Sequence, residues 1–224
     1  MGRFLNRISA KGLLLLVIGI GLLAVSLGDT VTSFKPARSF EDVLAEGASA
    51  GDHVAGRVPC LLDSFATLET WTENRSNNSR TPAKTSSRYY VFPSSECFYG
   101  LTVHSSGFSA AGKLVDQTYG ALSGGAEPTA ELELDVRAAK MDEELAELFR
   151  EELRDYYGLT DAQIDAMGTP LMLEPRAFGT IRVFCGVGAA LALLGAVLLV
   201  LRWKKTVPPK VRRAEAPSYD PELR

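Results

Sequence analysis

The sequence predicts an α+β domain, with a largely antiparallel sheet or small open barrel and two or three helices, carried between two terminal transmembrane helices. Three observations predict it. Gly12–Gly28 and Val183–Leu201 run for 17 and 19 residues without a charged side chain, long enough to cross a bilayer. The 24 Lys and Arg against 27 Asp and Glu give a net charge of −3, but that balance is a cancellation: residues 1–28 carry +3, residues 29–180 carry −11 and residues 181–224 carry +5. Between the apolar stretches, hydrophobic side chains recur with a period of two in some segments and 3.6 in others, as a mixed domain requires.

The charge asymmetry sets the expected topology. Arg3, Arg7 and Lys11 precede the first stretch, and Arg202, Lys204, Lys205, Lys210, Arg212 and Arg213 follow the second. Basic residues close to a span hold that end in the cytoplasm. Residues 1–11 therefore read as a cytoplasmic N-terminus, 12–28 as the first transmembrane helix, 29–180 as an extracytoplasmic domain, 183–201 as the second transmembrane helix and 202–224 as a cytoplasmic tail. The first helix reads as an uncleaved signal anchor, and small residues at Ala24, Ser26 and Gly28 leave a cleaved signal peptide as the alternative. The tail, with Pro208, Pro209, Pro217 and Pro221 among its basic residues, reads as disordered and attracted to anionic lipid.

Neither stretch contains an acid, a His or a side-chain amide, which excludes an ion path through this pair of helices alone. Gly188, Ala192 and Ala196 recur every fourth residue, and Gly21, Ala24 and Gly28 are the small residues noted in the first stretch. Such faces let backbones approach closely, so helix packing within the chain or between copies is expected there.

Within the domain, residues 29–50 connect and turn helical from Ser39 to Glu46. Two strands follow, His53–Leu62 and Ser64–Glu73, and then Asn74–Ser87, a polar stretch without period that reads as a loop. Arg88–Pro93 and Cys97–His104 read as a hairpin, and Ser109–Leu122 as a helix. Glu131–Ala138 alternates charged residues with Leu132, Leu134, Val136 and Ala138, the pattern of a strand wet on one face. Asp142–Tyr157 changes to a helical stripe of Leu145, Leu148, Phe149, Leu153, Tyr156 and Tyr157, closed by Gly158. Thr160 and Gln163 form a capping box that opens a short helix ending at Gly168, and Leu171–Leu173 returns to the sheet.

Candidate chemistry is sparse. Gly107-Phe-Ser-Ala-Ala-Gly112-Lys113-Leu114 matches a phosphate-binding loop up to its last position, where Leu114 lacks the hydroxyl that holds Mg²⁺. His53, Cys60, Cys97 and His104 include both histidines, but each His–Cys pair is seven apart, an odd offset that puts the two on opposite faces of a regular strand. Cys60 and Cys97 read as a disulfide of an oxidising compartment or as buried thiols. Asn74 and Asn77 head glycosylation sequons, relevant in a eukaryotic source. The acidic run around Asp142–Glu152 lacks the alternating ligands of a calcium loop. A domain at −11 is not built for nucleic acid, 20 Gly and 11 Pro without period exclude collagen, and three Cys exclude a disulfide-dense scaffold.

No catalytic residue, cofactor or metal site is expected. The reading that remains is an integral membrane protein whose partners are the bilayer and another protein or a second copy, with an outer domain that acts by contact in assembly, scaffolding or sensing. A membrane-tethered enzyme or small-ligand binder with a site invisible in sequence is the alternative.

Overall fold

The computed structural model describes residues 10–25, 27–74 and 79–206. The N-terminal residues 1–9, the sequon at Asn77 and the tail from residue 207 lie outside them. The chain divides into two compact units, Leu27–Arg182 and a second formed by Met1–Ser26 with Val183–Arg224.

In the first unit, α2 (Leu27–Ser33) and α3 (Phe40–Glu46) precede the sheet. α3 starts at a capping box in which the Ser39 hydroxyl accepts from the Asp42 N–H and the Asp42 carboxylate accepts from the Ser39 N–H. Strands β1 (His53–Arg57) and β2 (Ser64–Thr70) come next, then the two-residue strands β3 (Glu73–Asn74) and β4 (Ser79–Arg80), then β5 (Lys84–Pro93) and β6 (Phe98–His104). The remaining elements are α4 (Phe108–Leu122), β7 (Glu133–Lys140), α5 (Glu143–Asp155), α6 (Asp161–Ala166) and β8 (Leu171–Pro175).

Six strands form one open sheet in the order β1-β7-β8-β6-β5-β2. Every pairing is antiparallel except β6 with β8, where Gly100 and Leu101 face Met172 and Leu173 in parallel register. β1 and β2 are its two edges, so the sheet is open and the barrel alternative is excluded. Helices cover both faces. Phe40 and Val43 of α3 and Ala111 and Leu114 of α4 pack with Phe92, Leu101, Val136 and Leu173 on the first face. On the second, Phe149 and Leu153 of α5 and Ile164 of α6 pack with Val91, Met141 and Met172.

Two predicted strand boundaries moved by four residues or more, and the two-residue strands β3 and β4 stand where a loop was expected from Asn74 onward. β1 stops at Arg57 because the chain then leaves β7 to place Leu61 beside α4, where its N–H donates to the Thr118 hydroxyl at 3.1 Å. β5 begins at Lys84, inside the stretch expected to be a loop, because Lys84 pairs with Thr70 of the neighbouring strand. Cross-strand pairing outweighs local polarity there. The signals on α5 and α6 hold as read: Gly158 turns the chain at φ 69° and the Thr160–Gln163 box is formed.

The second unit contains α1 (Ala10–Val25, 16 residues) and the apolar part of α7 (Phe178–Thr206, 29 residues). One helix among the described residues, Phe178–Arg202, is long and apolar enough to cross a membrane. α1 falls short of that length, rising about 24 Å against a hydrocarbon core of about 30 Å. Two full spans therefore do not follow from the helix lengths.

Candidate functional site

Four glycines decide how the two apolar helices meet. Gly12, Gly19, Gly188 and Gly195 are all buried. A Cβ placed on Gly19 would lie 2.5 Å from the Ala192 nitrogen and 2.6 Å from the Gly188 oxygen, and one on Gly195 would lie 2.6 Å from the Leu16 nitrogen and 2.7 Å from the Gly12 oxygen. Any side chain there would strike backbone, so the hydrogen at each Cα is what permits the approach. Gly12 meets Gly195 and Gly19 meets Gly188, which makes the pair antiparallel. Within each helix the spacing is seven residues, the repeat of a nearly aligned left-handed crossing.

Of the sequence candidates, Gly188 and Ala192 lie at this contact, while Ala196 is not among the atoms nearest the opposing glycines. Gly21 has nothing within 4 Å, and Gly12 and Gly19 take the place that Gly21, Ala24 and Gly28 were expected to fill. The readable signal was a seven-residue glycine spacing shared by both helices, and the four-residue template passed over it.

The segments that lead into and out of the domain are tied together within the domain itself. Arg182 donates through Nε to the Ser33 carbonyl at 2.9 Å, with Nη2 donating to the same oxygen, and its guanidinium lies 6.0 Å from the Phe34 ring. Arg137 of β7 donates to Asp29 of α2 at 2.6 Å. His53, 6% exposed, packs against Phe178 with ring centroids 4.2 Å apart and the planes tilted by 52°, while its Nε2 meets Asp135 at 2.6 Å and its Nδ1 meets the Lys35 carbonyl at 3.3 Å. The histidine entertained as a metal ligand is thus occupied by side-chain and backbone oxygens. No group of three His, Cys, Asp or Glu among the described residues is placed to hold a metal.

Cys60 and Cys97 are separate free thiols, so the disulfide is not formed and the thiol alternative stands. Cys60 sits with Arg57 and Pro59 near α3, and burial pushes its thiol up to about 11, so it stays protonated at neutral pH and a poor nucleophile. Cys97 immediately precedes β6, near Tyr99, whose phenol is pushed up to about 12 by burial and by its hydrogen bond with Cys97, while it accepts from the Ala48 N–H at 2.7 Å. Gly112 and Lys113 lie inside α4, which starts at Phe108, so no loop exists there to cradle a phosphate. Asn74 ends β3.

Beneath α5 and α6 lies a cavity of about 90 Å³ lined by Phe98, Phe149, Leu153, Ile164 and Met167 among others. It is much smaller than the roughly 300–1,000 Å³ of typical ligand pockets.

A family model described as Domain of unknown function (DUF8577) matches residues 2–202. The chain belongs to this family. The match runs through α1, the whole domain and α7 as far as Arg202, so the DUF8577 unit comprises both apolar helices together with the sheet between them. None of the curated proteins and none of the solved structures compared with the chain matches it.

Proposed function

We propose that this chain is an integral membrane protein of two spans, with both termini in the cytoplasm and residues 29–180 outside it, whose domain acts by contact in assembly, scaffolding or sensing and not by catalysis. The observation that carries the reading is the antiparallel glycine seam of α1 against α7. Glycine brings backbones together without burying large side chains, and it leaves Leu14, Val17, Leu193 and Val197 each more than half exposed on the outside of the pair. An apolar surface of that kind is untenable in water and is satisfied by lipid tails. The uncharged stretch from Gly12 to Gly28 runs for 17 residues, the lower bound for a span.

The contact role is supported by the tie between Arg182 and Ser33 and that between Arg137 and Asp29. They hold the incoming and outgoing segments against the sheet, so a displacement of one segment is felt by the other. A domain held in this way suits a protein that reports or fixes position.

The test is translation of the full chain into microsomes. The reading expects residues 29–180 to resist added protease until the vesicles are opened, and Asn74 or Asn77 to gain a glycan that an endoglycosidase removes and that Asn74→Gln with Asn77→Gln abolishes. Digestion of the domain in sealed vesicles overturns it.

A further inference from the structure

We propose that a groove on the second face of the sheet binds a primary ammonium group carried on a short apolar stem. This goes beyond the anchoring reading and does not depend on it. The groove, about 250 Å³, lies where α5 begins and the ends of β5, β6 and β8 are left uncovered.

Two carboxylates stand on its polar wall. Asp142 occupies the N-cap position of α5 with extended backbone, yet its carboxylate makes no capping hydrogen bond and no ion pair with any described residue. Glu174 of β8 stands on the same groove and gives one oxygen to Arg176 at 2.6 Å. Both carboxylates act on Tyr89: burial first, then Glu174 and Asp142, hold its phenol above the ordinary value. Thr102 is a second, independent pointer. It is only 7% exposed, lines the groove, and its hydroxyl has no partner among the described residues. The hydroxyl is not sealed from solvent, so a group that enters the groove can reach it. Beside it Ser87, 5% exposed, is paired with His104 Nδ1 at 3.0 Å.

The rest of the lining is apolar. Met141, Met172, Leu145 and Leu68 provide a surface for methylene groups, and methionine adapts to irregular shapes. An ammonium has three donors and no acceptor, which complements Asp142, Glu174 and Thr102. An anion would face two carboxylates, of which Arg176 neutralises only one, Glu174, and leaves Asp142 uncompensated. The partial positive charge of the α5 start, about half an elementary charge, is outweighed by Asp142, Glu143 and Glu144. The small volume admits the end of a lysine side chain or a free alkylamine, which share this chemistry.

Methyl-labelled methionine in the full chain in detergent micelles gives the test. The protein has four Met, of which Met141 and Met172 line the groove and Met167 lines the separate cavity under α6. Titration with n-butylammonium is expected to shift Met141 and Met172 saturably and leave Met167 unmoved, with 1-butanol weaker by about tenfold or more. Asp142→Asn with Glu174→Gln should cost a similar factor. If that variant fails to fold, the comparison of the amine with the alcohol on the unaltered chain decides alone. Equal response to amine and alcohol, or no saturable shift, overturns the proposal. Tighter binding of Nα-acetyl-lysine methylamide than of butylammonium assigns the group to a protein side chain, and the reverse assigns it to a free amine.

Discussion

On the first face of the sheet, α3 and α4 leave Phe40, Val43, Leu101 and Leu114 at 0% exposure, and the aromatic pair Phe40–Phe92 closes edge to face at 5.7 Å. On the second, α5 and α6 bury Phe149 and Ile164 but stop short of Thr102, Ser87 and Glu174, which line an open groove. The same strand serves both: along β6, Tyr99, Leu101 and Val103 face the closed side, while Phe98, Gly100, Thr102 and His104 alternate on the other. The closed face supplies stability, and the half-covered face is where polar groups can converge without being sealed from solvent.

The comparison breaks most sharply at Phe92. Phe92→Ala should cost about 3–5 kcal/mol, because a ring between two packed layers leaves a cavity that cannot collapse. Urea unfolding of the full chain in detergent reads it, and a loss below about 1 kcal/mol would mean that the first face is not tightly closed. Met172→Ala on the second face should cost about 2 kcal/mol, since the space it leaves borders a groove already open to water. A loss equal to that of Phe92→Ala would erase the distinction between the faces.

Thr118→Val tests polar satisfaction on the closed side. The Thr118 hydroxyl accepts from the Leu61 N–H and donates to the Leu114 carbonyl at 2.8 Å. Removing it strands a buried N–H and should lower stability by about 1–2 kcal/mol in the same measurement. Its counterpart at the groove, Thr102→Val, removes a hydroxyl that bonds to no described residue and should leave the melting temperature unchanged or slightly higher.

The smallest effect is a pH dependence at Glu152. Burial, with Asp63 and then Asp155 close by, holds this carboxyl above its usual range. The folded chain therefore resists its ionisation, so the stability it contributes falls as pH rises through the carboxylate range, and the loss is complete above the folded value. Asp42 and Asp161 act in the opposite sense. Their carboxyls are lowered, Asp42 chiefly by hydrogen bonds with Ser39 and Asp161 by its bond to Arg154, so their contribution is lost as pH falls. Glu152→Gln should melt higher than the parent at neutral pH and equal to it in acid, and a constant difference across the range would count against this account.

Much of the domain was legible because its signals are local. The alternation through Leu132–Ala138, the stripe through Phe149 and Leu153, the glycine after α5 and the two capping residues each act within a few positions. The groove was not legible, since Ser87, Thr102, Asp142 and Glu174 come from four elements and none marks itself as polar by design. The glycine seam was half legible: the glycines are in plain view, but which of them meet depends on the register between helices separated by the whole domain.

By itself the sequence determined the apolar segments, the charge asymmetry and the type of most elements, though not of α2, β3 and β4, because hydropathy, periodicity and capping are properties of neighbouring residues. Tertiary structure decided that β8 pairs with β7 and with the distant β6, that the two cysteines remain thiols, that Gly12 and Gly19 rather than Gly21 meet α7, and that one face of the sheet stays partly open. Each of these depends on contacts between residues far apart in the chain, whose selection rests on the simultaneous fit of several surfaces and leaves no periodic trace.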